Sequence, residues 1–173
     1  MPCVAAKFSP KSSYIGAAYY DGYKGTIKIY NNSDKTLKQE FTLGKFDKNI
    51  YNCLCFRPST IEDDAILLAV DTEAVITKIN VSRGEKEEHK TDFKDARFTC
   101  CDYSSNGKFI ITGGDDYKVW FWDDETNQLI LESDAFYTKH NSHSNRVFCA
   151  KFKPNDENIA VTAGWDMNII LHD

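Results

Sequence analysis

Ala6-Lys-Phe-Ser-Pro10 returns near the far end of the chain as Ala150-Lys-Phe-Lys-Pro154. Between the two stand Leu54-Cys-Phe-Arg-Pro58 and Cys101-Asp-Tyr-Ser-Ser105, built to the same plan. The anchoring aromatics Phe8, Phe56, Tyr103 and Phe152 are 48, 47 and 49 residues apart. One such match is unremarkable. Four in register are an internal repeat, and a repeat decides the fold before any local propensity does.

Working outward from each anchor, the same order of parts recurs. A turn follows, then a short apolar strand: Tyr14–Tyr19, Ala65–Val70, Phe109–Gly114 and Ile159–Gly164. An Asp marks the next tight turn, at Asp21, Asp71, Asp116 and Asp166. A third strand comes next, at Thr26–Tyr30, Val75–Ile79, Lys118–Trp122 and Asn168–His172. A more polar fourth strand is expected near 36–42, 85–91 and 127–132. Four short strands per unit with a period in the forties predict an all-β chain of four-stranded antiparallel β-propeller blades. The blades fall at 1–48, 49–95, 96–144 and 145–173 of a single partial propeller, about 3.75 blades in all. The run Glu85-Lys-Glu-Glu-His-Lys90 fits a half-solvated outer strand.

Composition narrows the function classes. Apolar residues make up 42% and charged residues 27% of the 173, as in a folded domain. The net charge of −5 opposes binding to a nucleic-acid backbone, which needs a concentrated basic face. No apolar run approaches the roughly 18 residues that would span a bilayer. The first residues show no basic stretch leading into an apolar one, so a cytoplasmic setting is expected.

The stretch Phe109-Ile-Ile-Thr-Gly-Gly-Asp-Asp-Tyr-Lys-Val-Trp-Phe-Trp-Asp123 resembles the WD-repeat family, as does His143–Pro154 followed by Ile159–Asp173. The likeness is strong in the last two repeats and weak in the first two. It implies a structural tetrad of His, Ser or Thr, Asp and Trp. In the fourth repeat His143, Thr162 and Asp166 take three of those places, and His172 stands where Trp is expected. In the third, Thr112, Asp116 and Trp122 match, while Lys94 holds the His place. Tyr30 and Ile79 occupy the Trp place in the first two repeats, which also carry extra residues after the Asp. The resemblance further implies a ring of about seven blades. On that reading the chain is the N-terminal half of a longer propeller, closed by its remaining blades or by a second chain.

His143, Thr162 and Asp166 also imitate a catalytic triad, but a nucleophile must stand in a cleft beside its base. The repeat register instead assigns all three to a structural network, and no catalytic residue is expected. Of the six cysteines, Cys53, Cys100 and Cys149 each lie three residues before an anchor, where Ala5 fills the first repeat. Small apolar packing is expected of them. Cys53-x-Cys55 and Cys100-Cys101 do not match zinc spacing, so neither a metal nor a cofactor is expected.

The expected role is a non-catalytic scaffold that binds other proteins. Cytoskeletal, ciliary, coat and ligase complexes are all compatible with it. One alternative is the substrate receptor of a cullin-type ubiquitin ligase. Glu125, where some such receptors carry Arg, speaks against that. A propeller-fold enzyme is the other alternative. Candidate contact residues are Phe136, Tyr137 and His140 in the long segment Ser133–Asn145, Trp165 beside the turn Asp166, and Tyr19, Tyr20 and Tyr23 around Asp21.

Overall fold

The computed structural model describes residues 1–42, 49–59, 65–93, 96–133 and 142–173. Among them are fifteen strands in four antiparallel sheets. The first sheet runs β1 (Cys3–Phe8), β2 (Tyr14–Tyr20), β3 (Gly25–Asn31), β4 (Leu37–Thr42). The second runs β5 (Tyr51–Phe56), β6 (Ile66–Asp71), β7 (Val75–Asn80), β8 (Glu85–Lys90). The third is β9 (Phe98–Tyr103), β10 (Phe109–Gly114), β11 (Val119–Asp123), β12 (Leu129–Ser133). The last has three strands, β13 (Val147–Lys153), β14 (Asp156–Gly164) and β15 (Ile169–His172). These are the meander sheets of a β-propeller.

The repeat extends to backbone detail. The first strand of every sheet carries an irregularity at one equivalent place: between Cys3 and Ala5, Tyr51 and Cys53, opposite Gly113/Gly114, and between Val147 and Cys149. In the turn after the second strand, Gly22, Ala74, Tyr117 and Met167 all have positive φ, at 97°, 55°, 75° and 62°. Only the first is glycine, so three turns hold a side chain in the left-handed region at a local cost.

That ladder corrects the register of one turn Asp. Asp71 pairs with Tyr51 inside the sheet, as Gly114 pairs with Phe98 and Gly164 comes opposite Val147. Asp71 therefore stands two residues ahead of Asp116 and Asp166, and Glu73 occupies the turn place.

The described residues form two compact units, Met1–Thr91 and Asp92–Asp173. In the first, Ala18, Ile27 and Ile29 pack against Tyr51, Leu54, Leu67 and Ile79. A Cβ on Gly16 would come within 2.8 Å of Leu67 Cδ2, so the small residue permits the close approach. In the second unit Cys100, Ile111 and Val119 meet Val147, Ala150 and Phe152. Middle strands such as Ile66–Asp71 are buried along nearly their whole length, whereas Glu85–Lys90 is mostly exposed. Near-continuous burial marks the middle strand and near-continuous exposure the outer one.

The cysteines divide. Cys100 and Cys101 are buried, but Cys149 and Cys3 are exposed, against the packing role expected of Cys149. Cys149 shares a face with Ala163 and the exposed Ile169, and in this fourth sheet that face meets solvent.

Candidate functional site

A run of hydrogen bonds threads the fourth sheet. His143 precedes β13, Thr162 lies in β14, Asp166 in the turn after it, and His172 ends β15. His143 Nδ1 is 2.9 Å from Asp166 Oδ2, and its Nε2 is 2.8 Å from Thr162 Oγ1. Thr162 Oγ1 is in turn 2.8 Å from His172 Nε2. One assignment satisfies every group: His172 Nε2–H donates to the Thr162 oxygen, the Thr162 hydroxyl donates to His143 Nε2, and His143 Nδ1–H donates to the carboxylate. Asp166 also accepts from the amides of Ser144 and Asn168, at 3.0 and 3.1 Å.

The third sheet shows why histidine serves where tryptophan was expected. There Trp122 Nε1 donates to Thr112 Oγ1 at 2.9 Å, the same bond that the His172 ring N–H makes to Thr162. Both rings offer an N–H on a flat apolar body, and the His172 ring sits edge-on to Phe121 at 5.6 Å. Asp116 accepts from the Lys118 amide at 3.3 Å. Lys94 lies outside the described residues.

Thr162 and His143 are fully buried. A nucleophile needs access to a substrate, so this trio is arranged to brace, not to attack. Among the described residues no cluster of three or more His, Cys, Asp or Glu has the arrangement of a metal site.

Burial also sets the proton affinities. It pushes Asp71 up to about 6, against the pull of the Val75 and Glu73 amides, and pushes Asp116 up to about 6 likewise. It drives His172 down to about 4, aided by His143. Burial would raise Asp166 too, but the bonds from His143, Ser144 and Asn168 outweigh it and hold the group near 2. The signs oppose each other. The raised carboxyls add stability that is full below about 4 and lost as pH rises through about 6. The depressed His172 adds stability that is lost as pH falls from its ordinary value near 6.5 toward 4. Asp71→Asn keeps an acceptor for both amides and removes the charge. It should raise stability by about 1–2 kcal/mol at pH 7.5 and leave it unchanged near pH 4. Urea titrations at the two values decide this, and an equal loss at both counts against the buried-charge account.

The surface candidates separate clearly. Trp165 is 63% exposed on the turn between β14 and β15. Phe148, the unpaired residue of the β13 irregularity, packs on its ring at 4.8 Å, and the Arg146 guanidinium lies 5.6 Å from it. Neither Phe148 nor Arg146 stands out by residue type. The irregularity that turns Phe148 outward is visible only in the ladder. In the first sheet Tyr23 is 81% exposed, while Tyr20 bonds the Gly22 carbonyl. The Tyr19 hydroxyl meets that of Tyr30 at 3.4 Å, which with burial raises it to about 12. The structure thus groups Trp165 with two new neighbours and turns two of the three tyrosines toward their own sheet. Phe136, Tyr137 and His140 lie outside the described residues.

The buried network and the exposed ring are one construction. The Trp165 amide donates to the Arg146 carbonyl at 2.9 Å, and Asp166 draws in the amides on both sides of the site. A Cβ on Gly164 would stand 2.7 Å from that carbonyl and 3.0 Å from His143 Nδ1. The turn is clamped from below while its Trp faces out.

Comparison with known proteins agrees with this geometry. The family described as "WD domain, G-beta repeat" matches residues 86–123 and 135–173. The first segment contains the Trp122–Thr112 pair, and the second contains the complete network from His143 to His172. No curated protein matches the chain.

Proposed function

The chain belongs to the WD-repeat family, and from that premise we propose that it is a non-catalytic scaffold that holds partner proteins together. WD repeats serve protein interaction in general. The observation that carries the reading here is Trp165, an exposed indole on a turn that a buried hydrogen-bond network keeps in place. A large rigid aromatic offers a wide contact area for little lost side-chain entropy, and such residues dominate interface energies. The trio that imitates a catalytic triad supports the same role, because its hydroxyl is consumed inside the network.

A cytoplasmic setting, with a cytoskeletal or ciliary complex as one option, goes with this proposal. Six free cysteines suit a reducing compartment. The reading is tested by affinity capture from the chain's own cells, followed by rebuilding a complex of fixed stoichiometry from purified components. The expected result is at least one protein that forms such a complex without being altered. A substrate turned over by the purified chain, with no complex that can be rebuilt, would replace this reading. Capture of cullin adaptors in fixed ratio would narrow it to a ligase receptor.

A further inference from the structure

Three positions coincide at the start of the first strand in each sheet. They are one residue whose carbonyl accepts a bond from the turn after the second strand, the turn residue whose amide donates it, and the unpaired residue of the strand irregularity. In the third sheet these are Arg97, Asp115 and Thr99. They close on themselves: Arg97 meets Asp115 at 4.0 Å, and the Thr99 hydroxyl is held between the carbonyls of Gly113 and Val147, either of which can take its one proton. In the fourth sheet the same positions hold Arg146, Trp165 and Phe148. Nothing there closes. Arg146 meets no carboxylate among the described residues, and its guanidinium lies over an indole. The carboxylate next to that indole in sequence, Asp166, is turned inward and committed to His143 and two amides.

The chemistry of the open set is specific. A guanidinium resting on a ring gains about 0.5–1 kcal/mol there. It keeps its N–H edge free for a two-pronged bond to a carboxylate. Beside it, the Trp165 and Phe148 rings pack at 4.8 Å and offer an exposed apolar surface. We propose that Arg146, Trp165 and Phe148 form the docking point for an acidic segment of a protein partner, which seats a carboxylate on Arg146 and lays a neighbouring apolar side chain against Trp165. The proposal rests on the scaffold reading and specifies its partner. A second copy of the chain is a poor occupant, since each copy carries a net charge of −5. Recognition is correspondingly local and salt-sensitive, within a screening length of about 8 Å.

The molecule supplies its own reporter. Of its three tryptophans, Trp120 and Trp122 are buried and Trp165 is exposed. A displayed library of random short peptides is selected on the whole chain, and the enriched peptides are synthesised and titrated. Acidic residues next to Leu, Phe or Trp are expected to enrich. Their binding should blue-shift the tryptophan emission and shield it from acrylamide. Arg146→Gln and Trp165→Ala should each weaken binding by about tenfold or more. Arg146→Lys should fall between, because a point charge replaces a fork. All three substitutions change exposed side chains, so urea midpoints should stay at the wild-type value and show that the fold is intact. Peptides that bind the Arg146→Gln and Trp165→Ala variants as tightly as the parent overturn this site and leave the scaffold reading standing. So do enriched peptides that lack acidic residues. If no peptide enriches, the site is overturned as well, and the scaffold reading is then judged on its rebuilt complex alone.

Discussion

His143→Ala should lower the stability of the chain by about 3–5 kcal/mol, most of what a domain of this size possesses. The imidazole is the hub of the fourth sheet, touching both Asp166 oxygens at 2.9 and 3.0 Å and Thr162 at 2.8 Å. Alanine removes the side-chain donor to a carboxylate that stays buried, and removes the acceptor of the Thr162 hydroxyl. A buried charge that loses its partner costs far more than the bond was worth. The loss should be confined in a way that can be read. All three tryptophans lie in the unit Asp92–Asp173, so emission reports that unit alone. The expected result is a lower urea midpoint by emission, and a smaller effect of His143→Ala when Asp166→Asn is already present, because the orphaned charge is then gone. A variant that unfolds at the parent's midpoint would remove the network from the list of things that hold this sheet.

Much of this architecture is legible in the sequence, for a physical reason. A strand buried on both faces must be apolar along its length, so Ala65–Val70 and Phe109–Gly114 announce themselves, and an anchor aromatic with a constant period fixes where each repeat begins. Third strands were found to within a residue or two for the same reason. What composition does not reveal is register. Asp71 looks like the turn residue Asp116, yet the ladder places it two positions earlier, within the sheet. Only the cross-strand pairing, Asp71 with Tyr51 as Gly114 with Phe98, tells the two aspartates apart. Cys149 matches Cys100 in sequence position, but one face of the fourth sheet is open where the third sheet's is covered by Val147. Partners across space, not the chain itself, decide such cases. The His172 position shows the converse. A family pattern written in residue names finds a mismatch there, whereas the chemistry requires only a flat ring with an N–H at the right height, and His172 has both.

Trp120→Ala should be about as damaging as the loss of His143, at roughly 3–5 kcal/mol, through an unrelated cause. Trp120 is nearly inaccessible in β11, stacked on Phe93 at 5.3 Å and edge-on to Phe98 at 5.2 Å. Removing the indole leaves a cavity that two aromatic neighbours and a β-sheet are too stiff to fill, and cavity volume adds to the lost transfer energy. The same residue provides a control with a small effect. Its Nε1 is buried without a hydrogen-bond partner among the described residues, so part of the ring's contribution is offset by an unmet donor. Trp120→Phe keeps an apolar ring between Phe93 and Phe98 and deletes that donor. It should therefore cost no more than about 1–2 kcal/mol, with part of the smaller ring's packing loss returned by the relieved N–H. Calorimetric melts of both variants separate packing from hydrogen bonding at one site. If phenylalanine is as harmful as alanine, Nε1 has a partner that packing alone does not reveal. If alanine is tolerated, the Phe93–Trp120–Phe98 stack is not part of what keeps the unit folded.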